Sequence, residues 1–500
     1  MYKTINKTVY LMTFLLLSHC FTVSAEQQPK TVDLWPEEQT VVTNHSVKIA
    51  GKRIDYTATA GTSFVFNKKH EKIGSIFYTA YIKKKPSKNR PITFAYNGGP
   101  GSASVWLHMG ALGPKRVVMG KDGFMPKPPY RAIDNEYSIL DLTDIVFIDP
   151  VGTGYSRAGG KGSNEDFHGT WEDIETVSEF IRLYLTRNNR WSSPKFLAGE
   201  SYGTLRSAGI AYHMGQNLGV NFNGILLISS ILNYTLDSFD AGVNVLAPIS
   251  LLPTYAATAF YHKQLGEAYQ SVEQVVNAAK QFANNEYALA LLKGDQISAQ
   301  DKSKIAKKLS ELIGLPADMI ERNNLIIGMN KFLHNLRRDE GLTLGRLDSR
   351  FVTNELDAMA QQGYRDPSYM AIHGPYTETL MSYLRGELKF ESDLVYHILG
   401  GGVGKWNMED FAQDSFDISR KLRHAMLRNT DMKVFVANGY FDMATPFHAT
   451  EYNFNHMGLS KELKDNVQMY YYESGHMMYI READLIKFKQ DIKTFFNFAK

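Results

Sequence analysis

Gly199-Glu-Ser201-Tyr-Gly203 is the one place in this chain where a serine falls in the pattern G-x-S-x-G. A serine hydroxyl is a poor nucleophile at neutral pH. It attacks a carbonyl only when a base within hydrogen-bond reach takes its proton and a carboxylate orients that base. Among 14 histidines, His476 is the best candidate for the base, because Gly475 precedes it and an apolar run from Val467 feeds it. His213, His262 and His334 fall in helical segments and read as surface or satisfied core residues. Asp442 ends another apolar run after Asn438-Gly-Tyr-Phe, and the chain order Ser, Asp, His suits it to the orienting role. The oxyanion of a tetrahedral intermediate also needs backbone donors. Gly98 or Gly99 of Asn97-Gly-Gly-Pro-Gly101 can present one amide, and Tyr202, next after the serine, the other.

Each of these residues follows a short Val/Ile/Phe-rich run, and such runs end at the face of an open α/β sheet where reactive groups gather. The pattern predicts strands at Ile73 to Ile82, Ile92 to Tyr96, Asp144 to Asp149, Lys195 to Ala198, Gly224 to Ser229, Lys433 to Ala437 and Val467 to Tyr472. Their apolar continuity and the helical segments between them indicate a mainly parallel, buried sheet with helices on both faces. Helical spacing is clear in Ile174, Val177, Phe180, Ile181 and Tyr184, and again in Leu485, Phe488, Ile492 and Phe495. From about residue 236 to 425 the strand signal fades and helical periodicity takes over. Val272, Val275, Val276 and Ala279 share one face, and Ile305, Leu309, Leu312 and Ile313 another, between the start signal Ser298-Ala-Gln-Asp301 and the stop at Gly314. A mostly helical cap inserted between the serine and the aspartate is expected over 236–425. It would divide the hydrolytic core into 51–235 and 426–500.

Five hundred residues, 44% hydrophobic and 21% charged, fit a soluble globular protein with a large domain and an insertion. Residues 1–25 read as a secretory signal. Lys3 and Lys7 precede an apolar run from Val9 to Val23, and Val23-Ser-Ala25 offers small residues for cleavage. Residues 26–50 read as a polar, extended arm. The formal charge of +3 falls to +1 without Lys3 and Lys7, a balance that asks for no nucleic-acid partner. The single cysteine, Cys20, lies in the leader, so the mature chain has no thiol or disulfide and no stable membrane span. Export to the periplasm or medium follows. Oligomeric state leaves no trace in the sequence. Gly152-Thr-Gly154 lacks the rest of a nucleotide-binding pattern and reads as a structural loop. No H-E-x-x-H occurs and His448-Ala-Thr-Glu451 has no partner set, so neither a metal nor another cofactor is expected.

With the loops assembled, the chain resembles the serine carboxypeptidases over roughly residues 45–500. The resemblance rests on Asn97-Gly-Gly-Pro-Gly101, Asp149-Pro-Val-Gly-Thr-Gly-Tyr-Ser156, Gly199-Glu-Ser-Tyr202, Asp442 and Gly475-His-Met477. It implies an α/β-hydrolase fold acting on peptide or protein substrates, with Ser201 as nucleophile, His476 as base, Asp442 as orienter, and Gly99 and Tyr202 as oxyanion donors. It further implies that Asn97, Gly98 and Glu200 hold the substrate's terminal carboxylate, with Glu200 protonated and the enzyme favouring acid pH. Two departures stand out. Ala95 replaces the family's tryptophan, and Ala111 of Ala-Leu-Gly-Pro114 replaces the second glutamate of the carboxylate site. His108, Lys115 or Arg116 could supply positive charge in its place. Esterase or acyl-transfer chemistry on the same residues is the alternative, and a non-catalytic binding module the remoter one.

Overall fold

The computed structural model describes residues 38–87, 89–236, 244–355, 366–407 and 417–499. The leader, residues 1–25, lies outside the described residues. The main sheet contains β1 (Thr40–Ile49), β2 (Lys52–Phe66), β3 (Lys72–Lys83), β4 (Ile92–Tyr96), β5 (Asp144–Asp149), β6 (Lys195–Ser201), β7 (Gly224–Ser230), β8 (Lys433–Gly439) and β9 (Val467–Tyr472). In space they run β1-β2-β3-β5-β4-β6-β7-β8-β9, with a two-residue strand, Arg157–Ala158, attached to β3. From β5 to β9 every pairing is parallel, whereas β1, β2 and β3 join antiparallel. This is an α/β fold built on a mostly parallel central sheet.

The central strands are apolar throughout because both faces are covered. All five residues of β4 and all six of β5 are buried. Alternate side chains enter opposite cores: Val146 and Ile148 pack with Ile174, Val177 and Leu205 on one face, while Ile145 and Phe147 pack with Phe488 and Ile492 on the other. The first core is covered by α1 (Thr170–Arg187) and α2 (Tyr202–Leu218). A separate helical core lies over α3 (Leu246–Tyr261), α4 (Val272–Phe282) and α5 (Ala299–Ile313), the last capped by Ser298 Oγ at the Asp301 amide and closed by left-handed Gly314.

Two expectations need correction. Of the expected extended arm, residues 26–37 lie outside the described residues, and residues 40–49 belong to the sheet: β1 pairs along its whole length with β2, which would otherwise leave a 15-residue edge unsatisfied. Nor does 236–425 behave as a single cap. The helix α6 (Pro367–Gly386) packs Ile372, Tyr376, Leu380 and Tyr383 into the main core, and α7 (Ser419–Arg428) packs Leu422 and Met426 against the α2 face. Among the described residues of 236–425, the stretch from α3 to about residue 344 has a core apart from the sheet, which Met443 joins. The described residues from 38 onward form one compact unit.

One buried ion pair ties the covering helices to the loop after β4. Arg206 on α2 donates from Nε to Asp173 Oδ2 on α1 at 2.7 Å and from Nη1 to the carbonyl of Asn97 at 2.7 Å. Removing one partner of such a pair strands the other charge in the core. Asp173→Ala is expected to lower the unfolding free energy by about 3–5 kcal/mol, read from urea denaturation.

Candidate active site

Ser201 ends β6 and begins α2 with φ 60° and ψ −129°, a conformation that non-glycine residues rarely adopt. The turn is possible because nothing larger than hydrogen stands beside it. A Cβ on Gly199 would overlap the carbonyl of Gly203, and one on Gly98 would overlap the Tyr202 amide nitrogen. The glycine loop after β4 therefore lies directly against the amino end of α2. The Tyr202 amide opens that helix, so it has no acceptor within it. Gly99 takes φ +104° in the same loop.

His476 and Asp442 meet from the loops after β9 and β8. His476 Nδ1 lies 2.8 Å from Asp442 Oδ2. Asp442 is fully buried, and its oxygens are filled by the Ala444 amide (2.8 Å), the Thr445 amide (3.0 Å) and Thr445 Oγ1 (2.6 Å). A carboxylate with this donor set accepts the Nδ1–H of the imidazole, which leaves Nε2 unprotonated. Burial pulls the imidazole pKa down, but the Asp442 charge, its hydrogen bond and the nearby Glu200 together outweigh burial and raise it.

Ser201, His476, Asn97, Gly98, Gly99 and Glu200 all line one cavity of about 160 Å³. Its apolar walls come from Trp106, Leu347, Tyr369, Ile372, Leu399 and Met477. One side is closed by a strap around residues 396–403, which bonds to the glycine loop through Ala103 N to Ile398 O (2.9 Å) and Gly400 N to Gly101 O (2.9 Å). The Tyr396 hydroxyl anchors it further by donating to Asp149 Oδ2 at 2.7 Å.

Glu200 is 2% exposed, beneath the cavity. Burial, only partly offset by the His476 charge and by the Tyr479 hydroxyl donating at 2.6 Å, pushes its pKa up to about 7. Asn97 turns its Oδ1 to the Leu107 amide at 3.0 Å.

Other placements differ from expectation. His108 is buried, stacked on Phe147 and bonded to the Tyr81 hydroxyl at 2.6 Å. Burial lowers its pKa to about 3, so it is neutral. Lys115 pairs with Asp134 and Glu387, and Arg116 with Glu482. None of the three lines the cavity, because the turn at His108–Leu112 directs this stretch into the core. Ala111 is buried in that core as well. The one Arg or Lys lining the cavity among the described residues is Arg346.

The segment around Arg346 went unread in the sequence, and it braces both loops. The carbonyl of Arg346 accepts from Met443 N (3.1 Å) and that of Leu347 from His476 N (2.6 Å). Asp348 Oδ2 accepts from Gly475 N (3.0 Å), while Ser349 N donates to Phe441 O (3.0 Å). Asp348 is held in turn by a buried pair with Arg350 at 2.6 Å. No periodicity marks these contacts. Thr445 was more accessible to reading, since Asp442-Met-Ala-Thr445 is the pattern of an Asx turn.

An open α/β sheet that gathers a strained serine, a carboxylate-bound imidazole and a glycine loop at its strand ends defines an α/β hydrolase. The serine carboxypeptidase family profile matches residues 60–490, and the chain belongs to that family. Serine carboxypeptidase-like 36 of Arabidopsis thaliana is 30% identical over 169 residues, 32% of this chain and 32% of that protein. The pheromone-processing carboxypeptidase KEX1 of Yarrowia lipolytica is 25% identical over 221 residues, 42% of this chain and 32% of that protein. These matches span about a third of each relative's length. The crystal structure of Kex1, a prohormone-processing carboxypeptidase from Saccharomyces cerevisiae, superimposes with a TM-score of 0.50 at 14% identity. That likeness of fold covers 88% of this chain and 91% of the other.

The packing of the glycine loop on the serine turn leads to a test. Gly98→Ala is expected to displace the Tyr202 amide and lower turnover of a nitrophenyl ester by about 100-fold, with an unchanged far-UV circular dichroism spectrum.

Proposed function

We propose that this chain is an exported serine-type carboxypeptidase that cleaves peptides through an acyl-enzyme. The observation that carries the reading is the 2.8 Å contact of His476 Nδ1 with the buried Asp442, in a loop that shares a cavity with Ser201. His476 Nε2 takes the proton of Ser201 Oγ as that oxygen attacks the scissile carbonyl. The amides of Gly99 and Tyr202 receive the oxyanion. Collapse of the intermediate passes the proton from His476 to the leaving amine and leaves the acyl group on Ser201. Water activated by the same imidazole then releases it. The apolar cavity walls give the apolar parts of the substrate a surface to pack on.

Asn97, Gly98 and Glu200 are assigned to the terminal carboxylate of the substrate. Two carboxylates repel unless one holds a proton, and a Glu200 that titrates near pH 7 keeps its proton on the acid side of neutrality. The signal pattern in residues 1–25 supports export. A peptide or protein is the substrate, and no cofactor enters any of these steps.

Two measurements test the assignment. A fluorophosphonate is expected to label Ser201 covalently, and Ser201→Ala to abolish labelling and lower peptide turnover by about 10,000-fold or more. Full activity in that variant overturns the reading, and endoproteolytic or ester-only turnover by the unmodified protein overturns the carboxypeptidase part.

The pH profile follows from two signs. Below the raised pKa of His476 the base is protonated, so kcat/KM falls as pH falls. Above about 7, Glu200 loses its proton and carboxylate binding falls as pH rises. The profile is expected to be bell-shaped. Glu200→Gln should remove the alkaline limb and leave the acid limb in place, because Glu200 already carries its proton where His476 takes one up.

A further inference from the structure

The carboxylate clamp inferred from the family pattern lacks its second glutamate, and among the described residues Glu200 is the one acidic residue lining the cavity. Ala111 is packed in the core away from the cavity. The cavity wall instead carries a cation, Arg346. Its side chain is exposed, and none of the ion pairs among the described residues involves it. Other cations in this region are already spent. Lys115 is paired twice, Arg116 bonds Glu482 at 2.8 Å, and Arg350 is locked on Asp348.

The Arg346 backbone is held more firmly than its exposure suggests. Its amide donates to Asp366 Oδ1 at 3.1 Å, and its carbonyl accepts from the amide of Met443, the residue next to Asp442, at 3.1 Å. The following residue bonds the His476 amide at 2.6 Å. The guanidinium is therefore carried on the same backbone that holds the imidazole and the aspartate. Its charge reaches the imidazole, whose pKa it opposes. A guanidinium that lines a cavity with a serine nucleophile, on a braced backbone and with no ion pair among the described residues, can receive a planar anion, because its N–H fork matches two carboxylate oxygens.

We propose that Arg346 is a specificity-determining residue that binds a carboxylate of the substrate beside the scissile bond. The carboxylate belongs either to the chain terminus or to an Asp or Glu side chain next to that bond. The inference rests on the serine-peptidase reading above. It also gives the missing glutamate a physical replacement: a proton-sharing carboxyl pair needs acid to bind an anion, whereas a guanidinium binds one at any pH at which the protein is folded.

The test compares kcat/KM of the full mature chain with Arg346→Met and Arg346→Lys on three substrates: blocked Phe-Phe, its C-terminal amide, and the amide of blocked Phe-Glu. Arg346→Met is expected to reduce the preference for a carboxylate-bearing substrate over the blocked Phe-Phe amide by about 10- to 100-fold, mostly through KM. Arg346→Lys should restore part of it. A fall confined to blocked Phe-Phe assigns the terminal carboxylate, and one confined to the Phe-Glu amide assigns the side chain. An unchanged preference, including one that accompanies equal losses on all three substrates, overturns the proposal. If the unmodified protein cleaves no peptide, the peptidase reading fails separately. Arg346 is then judged on succinyl against butyryl nitrophenyl esters, where an unaltered ratio in Arg346→Met overturns it.

Discussion

A carboxylate with no access to water must have its charge matched by donors, and the loops around Asp442 are arranged by that demand. Two amides and a hydroxyl from the next three residues fill part of it, and the imidazole of His476 completes it. The imidazole is thereby fixed in one tautomer, with its other nitrogen free. Local sequence supplies the Asx turn but cannot hold two separate strand-end loops in register. That is done by residues 346–349, which bond the Met443, Gly475 and His476 amides and the Phe441 carbonyl. Asp348 can do this because Arg350 neutralises it in the same buried place.

On the other side of the cavity the constraint is steric. The serine turn at φ 60° packs against a glycine loop that has no room for a Cβ, and Arg206 pins that loop by the Asn97 carbonyl while satisfying Asp173. Strain at Ser201 is thus opposed by a buried, charged clamp on the neighbouring loop. Between these two halves lie Glu200 and His476, each perturbing the other. A proton on Glu200 with a neutral imidazole, or a carboxylate with an imidazolium, are the two ways to place one proton on the pair. The proposed reaction uses the first.

Much of this was legible before the structure, and in a regular way. The parallel strands were read within a few residues of their ends, since strands buried on both faces must be apolar throughout, as Ile92–Tyr96 is. The strands β1 and β2 are not among those that apolar runs mark, since β1 carries polar residues such as Asn44 and Lys48 on its exposed side and β2 mixes polar with apolar residues, and the place of β1 is set by the long edge of β2. Helix α6 lies within the expected cap and α7 across its end, and a stripe of Tyr and Leu states only that a face is buried and not against what. Both helices proved to pack on the sheet cores and not in a separate cap. His108, Lys115 and Arg116 looked available because of nearness in the chain to Ala111, yet the turn after Trp106 sends them into core or surface pairs.

The sequence alone determined the kinds of groups present and the strands that end at them: a serine between glycines, an aspartate, a histidine and a glycine loop, each after an apolar run. These are local properties, written in side-chain chemistry and in the two-residue and 3.6-residue repeats of the backbone. Only the tertiary structure decided which charges survive unpaired, which carboxyl keeps its proton, and that a segment from residue 346 onward steadies both loops. Those outcomes depend on burial and on distances between residues far apart in the chain, and desolvation and Coulomb energies take their values only when the chain has closed around them.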